Sequence, residues 1–274
     1  MSAYQIHADF VPVAGRRLFV LSHRPVADTR GGVLLVPPFA EEMNKCRRML
    51  ALVAQGLAGA GFWSVLPDLR GTGDSEGEFD AGSWSDWKED LRGVAAALGT
   101  EGWNLSSLVG IRCGAALGLE TARDSGWTLS NTVLWQPVVD GARFLTQFLR
   151  TRVAASLMED RKETVAGLNQ RLASGEALEI AGYSLTARLT DQLEAVRLST
   201  ALGSHAGRVT WLEVHPGETP ELPPASRACI EDARTRGVCI DSAIVGGEPF
   251  WTSTEIVVNS EIISKTVATL AAAA

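Results

Sequence analysis

Residues Gly110-Ile111-Arg112-Cys113-Gly114 decide how this chain folds, because two glycines frame a tight turn between an apolar strand and a helix. Their spacing is that of Gly-x-Ser-x-Gly, a turn that lifts the central side chain above the carboxyl edge of a sheet. Here the central residue is Arg112. A guanidinium stays protonated and cannot act as a nucleophile, but it binds anions. The pattern therefore predicts a catalytic frame, with Arg112 at positive φ, whose central side chain binds instead of attacking.

Around this turn, which we call the elbow, strand and helix patterns alternate along most of the chain. Short apolar runs bounded by turn residues predict a mainly parallel sheet covered by helices on both faces. The expected strands are 4–10, 17–24, 32–36, 63–66, 105–110, 131–137, 209–215 and 238–245, and the expected helices are 46–60, 84–98, 114–124 and 253–270.

Between residues 141 and 203 the alternation stops. Apart from a short strand pattern at 178–185, this segment is amphipathic helix and close to neutral. We interpret it as a helical cap inserted over the sheet, so that 1–140 and 204–274 form the core.

Composition limits the possible partners. The chain has 274 residues and a net charge of −7, and it has no cluster of basic residues, which argues against nucleic acid. No apolar run reaches the length of a membrane span, and the N-terminus lacks the pattern of a signal peptide, so we expect a cytoplasmic protein. A small acyl or anionic molecule is the expected ligand, and a homodimer is possible.

The four cysteines indicate neither a metal nor a redox site. Cys46, Cys113, Cys229 and Cys239 lack the Cys-x-x-Cys spacing. We expect separate reduced thiols, no metal and no cofactor.

Three loops in the right order resemble those of the α/β-hydrolase fold. Residues 36–40 occupy the place of an oxyanion loop, residues 68–75 match Asp-x-Arg-Gly-x-Gly-x-Ser, and the elbow comes one strand–helix unit later. The resemblance implies an eight-stranded, mostly parallel sheet, with Asp68 and Arg70 in structural roles.

A narrower resemblance rests on residues 37–45, the arginine-centred elbow, residues 134–141 and residues 247–251. Together they resemble the second type of exosortase A system-associated hydrolase. Members of that group are encoded beside exopolysaccharide and PEP-CTERM protein-sorting systems in Gram-negative bacteria. The resemblance implies an acyl or ester substrate linked to envelope polymers.

The parts of a serine-hydrolase triad are incomplete in the sequence. The elbow lacks serine, and the loop 245–251, where the resemblance implies a histidine, has none. His7 and His23 fall in the opening strands, where we expect partial exposure. His215 ends a strand at the rim of the expected site, where it either joins a rearranged triad or makes a structural hydrogen bond.

Cys113 is the candidate nucleophile that remains. It follows Arg112 at a helix N-terminus, where the helix dipole and the cation would both stabilise a thiolate. The alternative is that its side chain turns away from the site and packs in the core.

Further candidates surround the elbow. Glu41 or Glu42 either pairs with Arg112 or lies solvated ahead of the helix expected at Cys46. Asp140 either takes a triad acid position or caps the first cap helix. The remaining binding candidates are Phe39, His215 and Glu248.

Two hypotheses follow. In the first, the protein is an ester or acyl hydrolase, or an acyltransferase, with an unusual site at Arg112 and Cys113. In the second, it is a catalytically silent relative that binds an anionic small molecule or a protein partner through Arg112.

Overall fold

The computed structural model describes residues 3–158, 162–203, 205–217 and 221–272. The strands are β1 (Tyr4–Val13), β2 (Arg16–Pro25), β3 (Gly32–Val36), β4 (Trp63–Pro67), β5 (Leu105–Ile111), β6 (Asn131–Trp135), β7 (Leu178–Ile180), β8 (Tyr183–Leu185), β9 (Arg208–His215) and β10 (Ile240–Gly246). The α-helices are α1 (Glu41–Gly59), α2 (Trp84–Thr100), α3 (Cys113–Ser125), α4 (Gly141–Met158), α5 (Val165–Ala173), α6 (Ala187–Glu194), α7 (Leu198–Leu202), α8 (Pro224–Thr235) and α9 (Ser260–Ala272).

Eight of the described strands form one sheet in the order β1-β2-β4-β3-β5-β6-β9-β10. The pairs β1–β2 and β2–β4 are antiparallel, and all later pairs are parallel. The carboxyl ends of β3, β5, β6 and β9 therefore meet at one edge, where ligands bind in open α/β sheets. The expected fold class, a mostly parallel eight-stranded sheet flanked by helices, is confirmed.

Helices cover both faces of the sheet because the central strands are apolar on both sides. β3, β4 and β6 are buried along their whole length. One core lies under α1 and α9, around side chains such as Met49 and Ile262, and the other lies under α2 and α3, around Leu91 and Leu117. This arrangement fixes the sheet edge on which the site is built.

Helices α4 to α7 and the β7–β8 hairpin occupy the segment expected as a cap. Phe144 and Phe148 of α4 contact Phe39 of the loop after β3, with ring centroids 5.8 and 5.4 Å apart. The start of α4 therefore packs directly beside the elbow edge of the sheet.

Several expected boundaries were wrong. α1 begins at Glu41 and not at Cys46, because Ala40 turns the chain at φ 51° immediately before it. α9 begins at Ser260 and not at Ser253. Asn259 caps this helix, because its side-chain oxygen accepts a hydrogen bond from the Ile262 amide at 3.1 Å.

Two further details of the fold were not expected. Helix α8 was not predicted from the sequence. His23 is only 1% exposed, so the expectation of partial exposure was wrong for that residue. Within the described ranges, no helix is both long and apolar enough to cross a membrane.

Candidate functional site

The elbow forms as its glycines require. Arg112 has φ 54° and ψ −121°, a conformation that non-glycine residues rarely adopt, and α3 starts at the next residue. A Cβ atom on Gly110 would overlap the backbone of Ala115, and one on Gly114 would overlap that of Pro37. The strained turn is held by a hydrogen bond from the Arg112 amide to the Trp135 carbonyl at 3.0 Å. The predicted positive φ at Arg112 is confirmed.

The Arg112 guanidinium is tied to the start of helix α1 and to the end of strand β6. Its Nε and Nη2 atoms donate to Oε1 of Glu42 at 3.1 and 3.0 Å, and Nη1 donates to the Gln136 carbonyl at 3.1 Å. Aromatic rings flank the cation, with centroids 5.0 Å away for Trp251 and 5.9 Å away for Phe144. Arg112 thus fills the position where a hydrolase of this fold carries its nucleophile.

The expected ion pair forms with Glu42. Glu41 instead accepts a hydrogen bond from Asn44 at 3.0 Å, on the exposed side of α1. Burial raises the pKa of Glu42, and the nearby Arg112 charge and its hydrogen bonds oppose that shift. The buried Oε2 of Glu42 has no hydrogen-bond partner among the described residues. Among the described residues, therefore, only one of the two carboxylate oxygens of Glu42 has a hydrogen-bond partner.

The Cys113 thiol is buried behind the elbow. Its side chain packs in the core, and burial raises the pKa of the thiol well above its ordinary value. The Glu42 charge acts in the same direction, and Arg112 opposes it. At neutral pH the thiol stays protonated, which is unfavourable for a nucleophile.

Gln136 and Glu213 are among the site residues that sequence reasoning missed. Gln136, at φ 41°, follows β6 and donates through Nε2 to Oε1 of Glu213 at 3.0 Å, while its Oε1 accepts from the Val214 amide at 2.7 Å. Ser226 also donates to Glu213 Oε1, at 3.2 Å. Burial raises the pKa of Glu213. Gln136 thereby joins Arg112 to the end of β9.

An open cleft of about 620 Å³ lies between α4, α8 and the ends of β6 and β9. We call it the cap cleft. Its walls combine charged, amide and apolar side chains; they include Arg112, Gln136, Val138, Arg143, Phe144 and Glu213. Arg143 is exposed and forms no ion pair with any described residue. The cap cleft thus combines two arginines and apolar surface with three carboxylates, those of Asp140, Glu213 and Asp232.

A second cavity, on the other side of the elbow, is nearly closed. Phe39, Phe79, Trp84 and Trp87 line it, and only about 20 Å³ is open, room for one water. Phe39, a predicted binding residue, makes edge contacts with Phe79 and Trp87 at 5.8 and 5.9 Å. The structure therefore places Phe39 in an aromatic cluster beside the elbow.

The other predicted site residues form no hydrogen bond with the guanidinium, although Asp140 lines the cap cleft together with Arg112. Asp140 caps α4, since its Oδ1 accepts from the Arg143 amide at 2.9 Å. His215 ends β9, and its Nδ1 accepts from the Gly217 amide at 2.9 Å. Glu248 is exposed in the loop after β10, and from the same loop Trp251 reaches Arg112.

All four histidines lie in described ranges, and none forms a hydrogen bond with Arg112 or Cys113. His205 contacts Thr132 at 3.3 Å, away from the cap cleft, and His7 and His23 lie on β1 and β2. In the described part of the chain, no three His, Cys, Asp or Glu residues are grouped as metal ligands.

No protein-family model and no curated protein matches the sequence. Solved structures match it along nearly the whole chain. Est1E from Butyrivibrio proteoclasticus with bound ferulic acid has a TM-score of 0.67 at 14% identity, covering 95% of this chain and 96% of its own. The esterase domain of a Rhodothermus marinus protein gives 0.64 at 15%, covering 98% and 97%.

The thioesterase domain from the curacin biosynthetic pathway gives a TM-score of 0.57 at 16% identity, covering 98% of both chains. These identities are low, so the likeness defines the fold alone. The chain has the α/β-hydrolase fold, with arginine at the elbow.

Proposed function

We propose that this protein is a catalytically silent relative of the hydrolases of its fold, and that it binds a small amphipathic anion in the cap cleft. One observation carries the proposal: Arg112 stands at the elbow apex, held by Glu42 and Gln136, and lines an open cleft of about 620 Å³. The side chain that would attack a substrate is replaced by one that binds it.

The guanidinium retains donors for a ligand. Of the five N–H groups of an arginine, three are used by Glu42 and Gln136 among the described residues. The Arg112 side chain is 14% exposed and lines the cap cleft. Arg143 lines the same cleft and supplies a second cation, which forms no ion pair with a described carboxylate. A carboxylate between the two arginines would receive charge-assisted hydrogen bonds.

The apolar walls favour a ligand with an acyl or aromatic part. Val138 and Phe144 lie beside the two arginines in the cap cleft. Est1E, which shares the fold, holds ferulic acid, an aromatic carboxylate. The resemblance to exosortase A system-associated hydrolases adds acyl-bearing fragments of envelope polysaccharides to the ligands worth testing.

The competing hypothesis is an acyl hydrolase or acyltransferase in which Cys113 attacks. Its support is the position of Cys113 at the N-terminus of α3 beside Arg112. Against it stand the burial of the thiol, the raised pKa and the lack of a hydrogen bond between any histidine and Cys113. We therefore favour binding.

Ferulate and methyl ferulate provide a direct test, since they share the ring and differ in charge. Isothermal titration at constant ionic strength should show ferulate binding to the wild type and much weaker binding of methyl ferulate. Loss of one charged hydrogen bond of about 1.5–3 kcal/mol should weaken ferulate binding roughly 10- to 150-fold in Arg143→Ala. Arg150→Ala, which removes an exposed arginine outside the cap cleft, is the matched control.

Each outcome decides between the hypotheses. Equal ferulate binding by wild type, Arg143→Ala and Arg150→Ala would contradict a site between the two arginines. Failure to bind ferulate, decanoate and a glycan-linked carboxylate alike would overturn the binding proposal. Hydrolysis of methyl ferulate that disappears in Cys113→Ala would establish the competing enzyme.

A further inference from the structure

Strand β1 leaves a long open edge at one end of the sheet. Its ten residues pair only with β2 among the described strands, and the side chains from Gln5 to Phe10 are exposed. Proteins usually protect such edges with lysines, prolines or covering segments, because a free edge pairs readily with another strand. Here the first proline of β1 is Pro12, near its end. The central part of the edge is therefore open to pairing.

The turn after β1 fixes which backbone groups face outward. The two-residue turn Ala14-Gly15, at φ 48° and 77°, places Val13 opposite Arg16 as a hydrogen-bonded pair. Because such pairs alternate along antiparallel strands, every second residue counted back from Val13 bonds to β2. The Val26 amide, which donates to the Ala3 carbonyl at 3.1 Å, follows the same alternation. The residues between them direct their N–H and C=O groups outward: Ile6, Ala8 and Phe10.

The exposed residues of β1 are self-complementary about Ala8. When a second β1 runs antiparallel with Ala8 opposite Ala8, Ile6 faces Phe10 and His7 faces Asp9, each twice. Ile6 and Phe10 are 55% and 48% exposed, and both lie on the face of the strand that carries Ala8. His7 and Asp9 fall at a pair without backbone hydrogen bonds, where opposing side chains come closest.

Neighbouring registers lack this match. Centring the pair on Asp9 sets two carboxylates against each other, and centring it on His7 sets two imidazoles against each other. A shift by one residue is excluded, because it would set each residue with outward N–H and C=O groups opposite a residue whose groups are already bonded to β2. The His7–Asp9 pairs, the Ile6–Phe10 contacts and the alternation of backbone hydrogen bonds therefore all favour the register with Ala8 opposite Ala8.

We propose that two copies of this chain associate through their β1 edges, antiparallel and centred on Ala8, to form one continuous sheet of sixteen strands. The occupant of this edge is a second copy, and the association does not depend on the ligand of the cap cleft. A single strand pair is a small interface compared with the ~1,600 Å² of stable complexes. The dimer should therefore dissociate on dilution, with a Kd of order micromolar.

Proline at position 8 tests the edge selectively. The Ala8 amide points away from β2, so Ala8→Pro removes the central intermolecular hydrogen bonds and leaves the β1–β2 pairing in place. Sedimentation velocity over a concentration series should show a monomer–dimer shift for wild type and for the control Ala8→Ser, and monomer throughout for Ala8→Pro. Melting temperatures of the two variants should stay close to each other.

Charge exchange tests the same edge without proline. Asp9→Lys should weaken association by placing a cation opposite His7, and adding His7→Asp should restore it. A wild type that is monomeric at every concentration, or a dimer that Ala8→Pro and Asp9→Lys both leave intact, would overturn the proposal.

Cross-linking tests the register. In the Ala8→Cys variant, the two introduced cysteines of a dimer would lie opposite each other, within disulfide reach. In the Ile6→Cys variant, each introduced cysteine would lie opposite Phe10 of the other copy, four residues along the strand from the second cysteine. Both variants should be made with Cys239→Ser, because Cys239 is the exposed native cysteine. Mild oxidation should link Ala8→Cys and not Ile6→Cys. Equal linkage of both, or linkage of Ile6→Cys alone, would contradict the register.

Discussion

Two arginine–carboxylate pairs with a buried carboxylate, Arg70–Asp90 and Arg112–Glu42, are completed by the protein to different degrees. In the loop after β4, Arg70 donates from Nε and Nη2 to Oδ1 of Asp90 at 2.8 and 2.6 Å, and its backbone amide donates to Oδ2 at 2.8 Å. Both oxygens of Asp90 have partners. At the elbow, Arg112 binds only one oxygen of Glu42, and the other oxygen has no described partner.

The difference separates a structural pair from a candidate site. Arg70 also forms ion pairs with two further carboxylates, from Nη2 to Glu89 at 2.8 Å and from Nη1 to Asp86 at 3.4 Å. Its guanidinium nitrogens are therefore all paired within the protein. Arg112 points toward the cap cleft with donors to spare. A complete pair contributes fold stability, whereas an incomplete pair beside a cleft can accept a ligand.

The largest expected effect is on the complete pair. Asp90→Ala leaves Arg70 without its buried partner, and the free energy of unfolding should fall by about 3–5 kcal/mol. Urea denaturation measures the change. Asp232→Ala, which removes a carboxylate from an exposed ion pair, serves as the control and should cost under about 1 kcal/mol. Similar losses for the two variants would contradict the structural role of Asp90.

The elbow pair should show a smaller effect. Arg112→Ala leaves Glu42 unpaired, and the loss of stability should be about 2–4 kcal/mol. Arg112→Gly removes the same side chain but relieves the strain of φ 54°, so it should be less destabilising by roughly 1 kcal/mol. A glycine variant less stable than the alanine variant would show that the turn is not strained.

Glu42→Gln should change how stability depends on pH. Because burial raises the pKa of Glu42, the folded protein retains a proton that the unfolded chain releases above about pH 4.3. The contribution of Glu42 is thus fully present below that pH and is lost as pH rises toward the folded pKa. Melting temperatures between about pH 4 and pH 8 should fall more steeply for wild type than for Glu42→Gln. Parallel curves would argue against a raised pKa.

The smallest effect concerns the thiols. Iodoacetamide at neutral pH should modify the exposed Cys239 readily and the buried Cys113 slowly, because a high pKa and burial both protect Cys113. Peptide mass spectrometry compares both sites in one sample. Faster modification of Cys113 than of Cys239 would reveal an activated nucleophile.

The sequence predicts the frame of the site because strand runs and glycine turns are local patterns. The elbow and its positive φ follow from residues 110 to 114, and the sequence offers an Arg112–glutamate pair as one of two alternatives for Glu41 and Glu42. Which glutamate pairs was not predictable while α1 was expected to start at Cys46. Once the helix starts at Glu41, the 3.6-residue period places Glu42 on the buried face with Cys46 and Met49.

Longer-range contacts had no local pattern to reveal them. Gln136 meets Glu213 because β6 and β9 pair in a register that no short motif encodes. Trp251 reaches Arg112 only through the path of the loop after β10. Such contacts depend on how distant segments pack, which single-sequence patterns do not specify.

Ester turnover tests most directly whether the elbow binds instead of attacking. Hydrolysis of p-nitrophenyl acetate should be compared for wild type, Cys113→Ala and Arg112→Ser at equal protein concentration. We expect the same low rate for all three, because Cys113 stays protonated and no histidine bonds to the elbow side chains to activate a serine. A wild-type rate that Cys113→Ala abolishes, or fast turnover by Arg112→Ser, would contradict it.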